Sequence, residues 1–180
     1  MAEERTSHDV NVIGAFALAT VDEMLAVGPS ASSAVLVVLG QAEEGRTINS
    51  IARALRVSQS RAVRIADSLE QTGMARRVQL PEDRRVVRLQ LTRKGKAAAT
   101  RVQQARNAIL ERTLEDLSEP EVKQLSSLVS KVLRSSTRGH YHAESICRLC
   151  DAVGCGHFDG RCPVSAGASA HDSIASNDHS

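Results

Sequence analysis

The spacing of apolar residues changes period at Gly73, and this change limits the folds open to the chain. Before Gly73, apolar residues recur at helical spacing in four successive segments. After it, residues 74–80 and 86–91 alternate as strands do, and the polar turn 81–83 joins them into a β-hairpin. Helical spacing returns after Thr92. The sequence therefore predicts a mainly α protein with one small β-hairpin (α+β).

The third and fourth helices and the hairpin predict a winged helix-turn-helix. Thr47 and Ser58 are suited to cap these two helices, and the junction 55–58 has the length of a tight turn. In such a module the start of the second helix enters the major groove of DNA. The polar side chains at that start can hydrogen-bond base edges or phosphates. We expect the DNA contacts to come from Ser58, Gln59, Ser60, Arg61 and Arg64.

Charge is distributed unevenly along the chain. The net charge is only +2, but residues 46–101 carry fourteen basic and four acidic residues and the remainder is acidic. A basic block between acidic flanks is typical of a nucleic-acid-binding module. Arginines of the hairpin add to this prediction. We expect Arg85, or as second choice Arg84, to be the wing-tip residue that enters the minor groove. We expect the remaining hairpin arginines to lie along phosphates: Arg76, Arg77 and Arg88.

Composition excludes several other classes. Only three residues are Phe or Tyr and none is Trp, which argues against stacking of bases or sugars on aromatic side chains. No apolar run is long enough for a membrane span, and the acidic N-terminus lacks the basic region of a secretory signal, so we expect a cytoplasmic protein. Neither a Gly-rich phosphate loop nor a nucleophile elbow is present, so we expect no enzymatic activity; a redox enzyme or electron carrier is a remote alternative.

Four cysteines fall within sixteen residues in the pattern C-x2-C-x4-C-x6-C: Cys147, Cys150, Cys155 and Cys162. In a reducing cytosol such clustering indicates metal ligands more than disulfides. The tight spacing and the Pro163 that follows the last cysteine favour an iron–sulfur cluster. Zinc is the alternative, with His157 as a substitute for Cys155. A disulfide switch and four independent thiols remain open as well.

Around the winged helix the chain resembles the MarR family of transcriptional regulators. The resemblance lies in residues 57–60, in residues 69–74, and in Asp83-Arg84-Arg85 followed by residues 89–95, which fit a DRR-xxx-LxLTxxG wing pattern. It implies an obligate homodimer built from the N-terminal helix and the last two helices, with each subunit reading half of a pseudo-palindromic operator in double-stranded DNA. Members of this family are usually repressors that are released by small phenolic ligands or by cysteine oxidation.

We therefore expect five regions. They are an N-terminal dimerisation helix and second helix (1–45), a winged helix-turn-helix (46–96), C-terminal dimerisation helices (97–138), a Cys-rich metal-binding appendage (139–163) and a disordered tail (164–180). The leading hypothesis is a homodimeric repressor whose Cys-ligated centre senses redox state or metal. The alternative is a repressor that a small phenolic effector releases, with the four cysteines as a structural zinc clip.

Overall fold

The computed structural model describes residues 7–27, 31–79 and 85–177, and within them it confirms the predicted mainly α class with one hairpin. A 3₁₀ turn, Cys147–Leu149, separates the last two helices. The helices and strands are α1 (Ser7–Val27), α2 (Ala31–Gly40), α3 (Ile48–Leu55), α4 (Gln59–Gln71), β1 (Ala75–Gln79), β2 (Val87–Leu91), α5 (Arg93–Thr113), α6 (Glu119–Ser136), α7 (Gly139–Ile146) and α8 (Pro163–Asn177).

Three helices begin at hydroxyl side chains that cap them. Thr47 accepts from the backbone N of Ser50 at 3.3 Å, Ser58 caps α4, and Thr92 caps α5. Each hydroxyl satisfies a backbone N–H that has no partner within its helix. Between α3 and α4 the chain turns through Arg56, whose φ of 55° is left-handed. The helix-turn-helix junction is therefore as short as the sequence predicted.

The core is built around α2, in which six consecutive residues, 34–39, are buried. The helices α3, α4 and α5 and both strands pack around it. The core is aliphatic, as the scarcity of aromatic residues requires, and burial of each large side chain contributes about 1.5–3 kcal/mol. The most deeply buried large side chains include Leu39, Ile51, Leu89, Val35, Val37 and Val38.

The antiparallel hairpin pairs Ala75 with Leu91 and Gln79 with Val87. Arg46 adds an isolated bridge to β2: its N–H donates to the Leu89 carbonyl at 3.0 Å, and the Leu89 N–H donates back at 2.8 Å. Gly45 precedes this bridge with φ of +77°, and a Cβ there would lie 2.4 Å from the Leu89 oxygen. Only glycine fits at this position, which places Arg46 against the wing.

Two helices expose apolar side chains. In α1 the exposed fractions are 69% for Ile13 and 68% for Leu18, and in α6 they are 52% for Leu128 and 63% for Val132. No residue of α6 is buried. Among the described residues, no helix is both long and apolar enough to cross a membrane. Both exposed faces belong to helices that the sequence assigned to dimerisation.

The prediction of a disordered tail over 164–180 is wrong for most of its length, because Pro163–Asn177 form α8, which packs against α6 and α7. Val164 and Ala168 are buried in this packing. Small residues let the helix approach closely: a Cβ on Gly167 would lie 2.4 Å from the Arg134 carbonyl oxygen. The composition, rich in Ala, Ser and Gly, suggested that little could be buried, but backbone contact replaces large side chains here. Residues 178–180 lie outside the described residues.

Candidate DNA-binding surface and cysteine cavity

The first turns of α4 carry the polar side chains that the sequence assigned to DNA. The Ser58 hydroxyl accepts from the Arg61 backbone N at 3.3 Å and also contacts the Ser60 hydroxyl at 3.1 Å, so it serves the cap. Gln59, Ser60, Arg61 and Arg64 are exposed. Because these four side chains are exposed near the N-terminus of one helix, they can face a groove together. We call them the α4 reading face.

The hairpin arginines are partly engaged within the chain. Arg76 donates to the Gln90 amide oxygen at 2.9 Å, and Arg88 pairs with Glu44 at 3.0 Å. Arg85 is exposed just before β2 and also interacts within the chain. Arg84, with the rest of the predicted wing tip, lies outside the described residues. Their contacts with DNA stay predictions.

Arg77 has a structural role that the sequence did not suggest. Its guanidinium pairs with Asp67 at 2.7 Å and with Glu70, and its backbone N–H donates to Glu70 at 3.0 Å. The hydrogen bond with Asp67 raises the pKa of Arg77. Both carboxylates belong to α4, so Arg77 fixes β1 against the reading helix, whereas the sequence predicted that it lies along phosphates.

All four cysteines line one cavity, of about 290 Å³, and all four are free thiols. His157 also lines it, and its Nδ1 lies 2.9 Å from the Ser165 hydroxyl. We call this space the cysteine cavity. Within the part of the chain that the structure describes, no three metal-ligating side chains stand close enough to hold an ion. The four cysteines thus share one cavity, and their role as metal ligands stays a prediction.

The thiols interact in pairs, and this shifts their ionisation. The hydrogen bond between Cys147 and Cys150 lowers the pKa of Cys150 to about 6 and raises that of Cys147. Burial and a hydrogen bond with Cys162 raise the pKa of Cys155 to about 11. Burial opposes ionisation of Cys162, but hydrogen bonds with Ser165 outweigh it and its pKa falls. In each pair, one thiol thus has a lowered pKa and the other a raised pKa.

Two glutamines outside the cysteine segment anchor its first turn. The side-chain amide of Gln41 donates to the carbonyls of both Cys147 and Cys150, at 3.1 and 2.9 Å, and the amide of Gln103 donates to Cys150 at 3.3 Å. Gln41 follows α2, and Gln103 lies on α5. The sequence contains no pattern that indicates these contacts, since the pairs are 47 to 109 positions apart.

A further link joins α7 to the winged helix. The Arg46 guanidinium donates to Glu144 at 2.9 Å and to the Ser50 hydroxyl at 3.2 Å. Close by, the Arg53 guanidinium stands 5.0 Å from the centre of the Tyr141 ring, a cation–π contact. The appendage is therefore docked on α3 and is not a detached module.

A second cavity, of about 410 Å³, lies where α1, α2, α4 and α5 meet. We call it the apolar cavity. Its wall is mostly aliphatic, with two guanidinium groups and one residue from the cysteine segment. The lining includes Leu36, Leu69, Met74, Val102, Ile109, Arg101, Arg106 and Leu149. A mostly apolar cavity of this size with a few charged groups suits a small amphipathic anion.

Comparison with protein-family models matches residues 29–86 to the MarR family. A curated relative, the HTH-type transcriptional repressor MdtR of Bacillus subtilis (strain 168), is 33% identical over 89 residues, which are 49% of this chain. The match spans 57% of the length of that relative.

Solved structures share the fold. The YusO protein from Bacillus subtilis superposes with a TM-score of 0.60 at 27% identity, over 73% of this chain and all of that one. FabT of Streptococcus pneumoniae, crystallised in complex with DNA, matches with a TM-score of 0.53 at 23% identity, over 69% of this chain and 91% of that one. The cysteine segment lies beyond the residues that the family model matches.

Proposed function

This chain belongs to the MarR family of winged helix-turn-helix regulators, and from that premise we propose that it is a homodimeric, sequence-specific DNA-binding repressor acting in the cytoplasm. The observation that carries the proposal is the α4 reading face, where a capped helix presents Gln59, Ser60, Arg61 and Arg64 together. Gln and Arg side chains make bidentate contacts to adenine and guanine edges in the major groove. The likeness to MdtR supports repression in particular.

Exposed apolar surface supports the homodimer. Ile13 and Leu18 of α1 and Leu128 and Val132 of α6 are more than half exposed in the single chain. Exposed apolar surface concentrated on two helices is typical of an interaction site. A two-fold dimer would place two reading helices about 34 Å apart, one turn of DNA, and would therefore require a pseudo-palindromic operator.

The test is selection of an operator from random duplex DNA with the full chain, followed by gel retardation and light scattering. Two chains bound to one inverted repeat support the proposal. A monomer in solution, or retardation of all duplexes alike, would contradict it.

We also propose, as the finer part of this function, that the four cysteines hold an iron–sulfur cluster, or alternatively zinc, that senses redox state or metal. The support is the shared cysteine cavity with its two thiol pairs and the donor chemistry of four thiols. Cys147, Cys150, Cys155 and Cys162 are the ligands, with His157 as substitute for one thiol. An iron–sulfur cluster supplies one-electron redox chemistry when bound, whereas zinc supplies a structural cross-link.

Metal and sulfide analysis of protein purified without oxygen tests the centre. A brown protein that contains iron and equimolar sulfide supports the iron–sulfur cluster, and a colourless protein that contains zinc supports a structural zinc site. A protein that contains neither iron and sulfide nor zinc overturns the proposal that the four cysteines hold a metal centre. Replacing all four cysteines by serine then tests sensing: unchanged operator affinity with an unchanged redox response would leave a purely structural role.

The second candidate is a repressor that releases DNA when a small phenolic-type ligand binds, with zinc as a structural clip. The apolar cavity favours it, because Arg101 and Arg106 lie beside aliphatic side chains in a space of about 410 Å³. Titration of a hydroxybenzoate into the operator complex tests it. If the ligand releases DNA from the wild type but not from Arg106→Gln, the result supports this candidate. If the ligand leaves DNA binding by the wild type unchanged, the result contradicts it.

A further inference from the structure

One short turn contributes to both cavities. Residues 147–150, which we call the CRLC turn, place Cys147 and Cys150 on the cysteine cavity, whereas Leu149 between them lines the apolar cavity. The turn is tight, because Cys147–Leu149 are 3₁₀ helical and the Cys150 N–H donates to the Cys147 carbonyl at 3.0 Å. The sulfur atoms and the Leu149 side chain therefore cannot move independently.

The CRLC turn is also held by the elements that form the apolar cavity. Gln41, at the end of α2, donates to both carbonyls that bracket the turn, and Gln103 of α5 donates to one of them. Leu36 of α2 and Val102 of α5 line the apolar cavity, so the helix that Gln41 follows and the helix that carries Gln103 both contribute to its wall. A shift of the turn would thus change the wall of the cavity and the spacing between α2 and α5.

Arg106 lies one helical turn beyond Gln103 and lines the apolar cavity. The chemistry that this wall recognises is an apolar ring or chain bearing a carboxylate.

We propose that the CRLC turn couples the two cavities, so that metal held by the four thiols fixes Leu149 in the wall of the apolar cavity and strengthens the binding of an apolar carboxylate there. The coupling rests on the cysteine centre of the proposed function. A wall fixed before binding costs the ligand less ordering free energy, which is why the loaded form binds more tightly. By linkage, the carboxylate strengthens metal binding by the same factor.

The experiment is calorimetric titration of 2-naphthoate into the full chain, once loaded with zinc and once stripped by a chelator in the presence of a thiol reductant, without oxygen throughout. We expect affinity at least about fivefold higher for the loaded form, the lower end of usual coupling between sites. In Leu149→Ala, zinc stoichiometry stays as in the wild type and the ratio of the two affinities falls towards one. Val153→Ala is the matched control, because Val153 is 75% exposed in the same segment and lines neither cavity; it keeps the wild-type ratio.

Each contrary result identifies what fails. Equal naphthoate affinity in the loaded and stripped wild type overturns the coupling and leaves the cysteine centre standing. Absence of naphthoate binding, or binding that Arg106→Gln does not weaken, overturns the proposed ligand site. A chain that takes up no zinc overturns the zinc form of the cysteine centre and the coupling through it, whereas metal and sulfide analysis decides the iron–sulfur form. Gel retardation reports separately on DNA binding.

Discussion

Arg46 and Glu144 form an ion pair of 2.9 Å across 98 positions of sequence, and both side chains are less than a third exposed. Arg46 is at the same time paired through its backbone with Leu89 of the wing. One residue thus connects α7, which leads into the cysteine segment, to the hairpin. The ion pair and the backbone bridge together join the segment that precedes the cysteines to the wing.

Replacing Glu144 by alanine should lower the free energy of unfolding by about 1–3 kcal/mol, because a half-buried guanidinium loses its charged acceptor. Glu144→Gln keeps one acceptor oxygen and should lower the free energy of unfolding by a smaller amount. Urea unfolding of the two variants measures these losses. The control is Glu119→Ala in the exposed pair with Lys123, whose side chains are 80% and 75% exposed, where about 0.5 kcal/mol or less is expected. Equal losses at the two sites would contradict a special role for Arg46 and Glu144.

Arg61→Ala should weaken operator binding by about 1–3 kcal/mol and relax the preference at one base position in each half-site, since Arg61 is exposed on the α4 reading face. Fluorescence anisotropy on the operator and on single-base variants measures both effects. Lys131→Ala on α6, also an exposed cation, is the control and should change neither. A variant of Arg61 that keeps the wild-type base preference would show that another element reads the operator.

Arg85→Ala should weaken binding by about 1–3 kcal/mol if the wing enters the minor groove, as the position of Arg85 before β2 suggests. The same anisotropy assay measures the loss. If Arg85→Ala binds the operator with wild-type affinity, the wing tip does not contact DNA through Arg85.

Arg77→Ala separates a structural role from a phosphate contact. Because its guanidinium is occupied by Asp67 and Glu70, the variant should be less stable to urea yet show the same dependence of affinity on salt as the wild type. Arg76→Ala is the comparison: loss of a phosphate contact lowers the slope of log affinity against log salt by about one. A slope that falls in Arg77→Ala would restore the role that the sequence predicted.

Features set by neighbouring residues were predictable from the sequence. The caps at Thr47, Ser58 and Thr92 need only a hydroxyl followed by a helical segment, and the hairpin needs only alternation around a polar turn. The shared cysteine cavity follows from four thiols within sixteen residues.

Contacts between distant segments were not predictable. Nothing near Gln41 in sequence indicates that its amide reaches Cys147 and Cys150, and the sequence around Arg46 does not identify Glu144 as its partner. The α8 helix was missed for a related reason, since the close approach of Gly167 to the backbone of α6 leaves no hydrophobic pattern.

Glu121 should make stability depend on pH. It accepts from both the hydroxyl and the backbone N of Ser118, which lowers its pKa below the ordinary 4.5. A carboxylate with a lowered pKa in the folded state contributes its full stabilisation above the ordinary value, and loses it as pH falls through the folded value. Glu121→Gln should therefore be less stable than the wild type at pH 7 and equal to it well below pH 4. Urea midpoints between these pH values measure the difference; a gap that persists at the acid end would point to a cause other than ionisation.

Gly167→Ala tests whether α8 is docked as the structure has it. In an isolated helix this substitution would increase helicity, because glycine is about 1 kcal/mol less favourable than alanine in a helix interior. Here the added Cβ would lie 2.4 Å from the Arg134 carbonyl oxygen, so α8 must separate from α6 or shift along it. We expect faster proteolysis of residues 163–177 and a lower melting temperature, whereas Ser173→Ala, at an exposed position of the same helix, should leave both unchanged or slightly improved. A Gly167→Ala variant that is more stable than the wild type would mean that α8 behaves as a free helix, and the contacts that α8 makes with α6 and α7 would then not hold the cysteine segment in place.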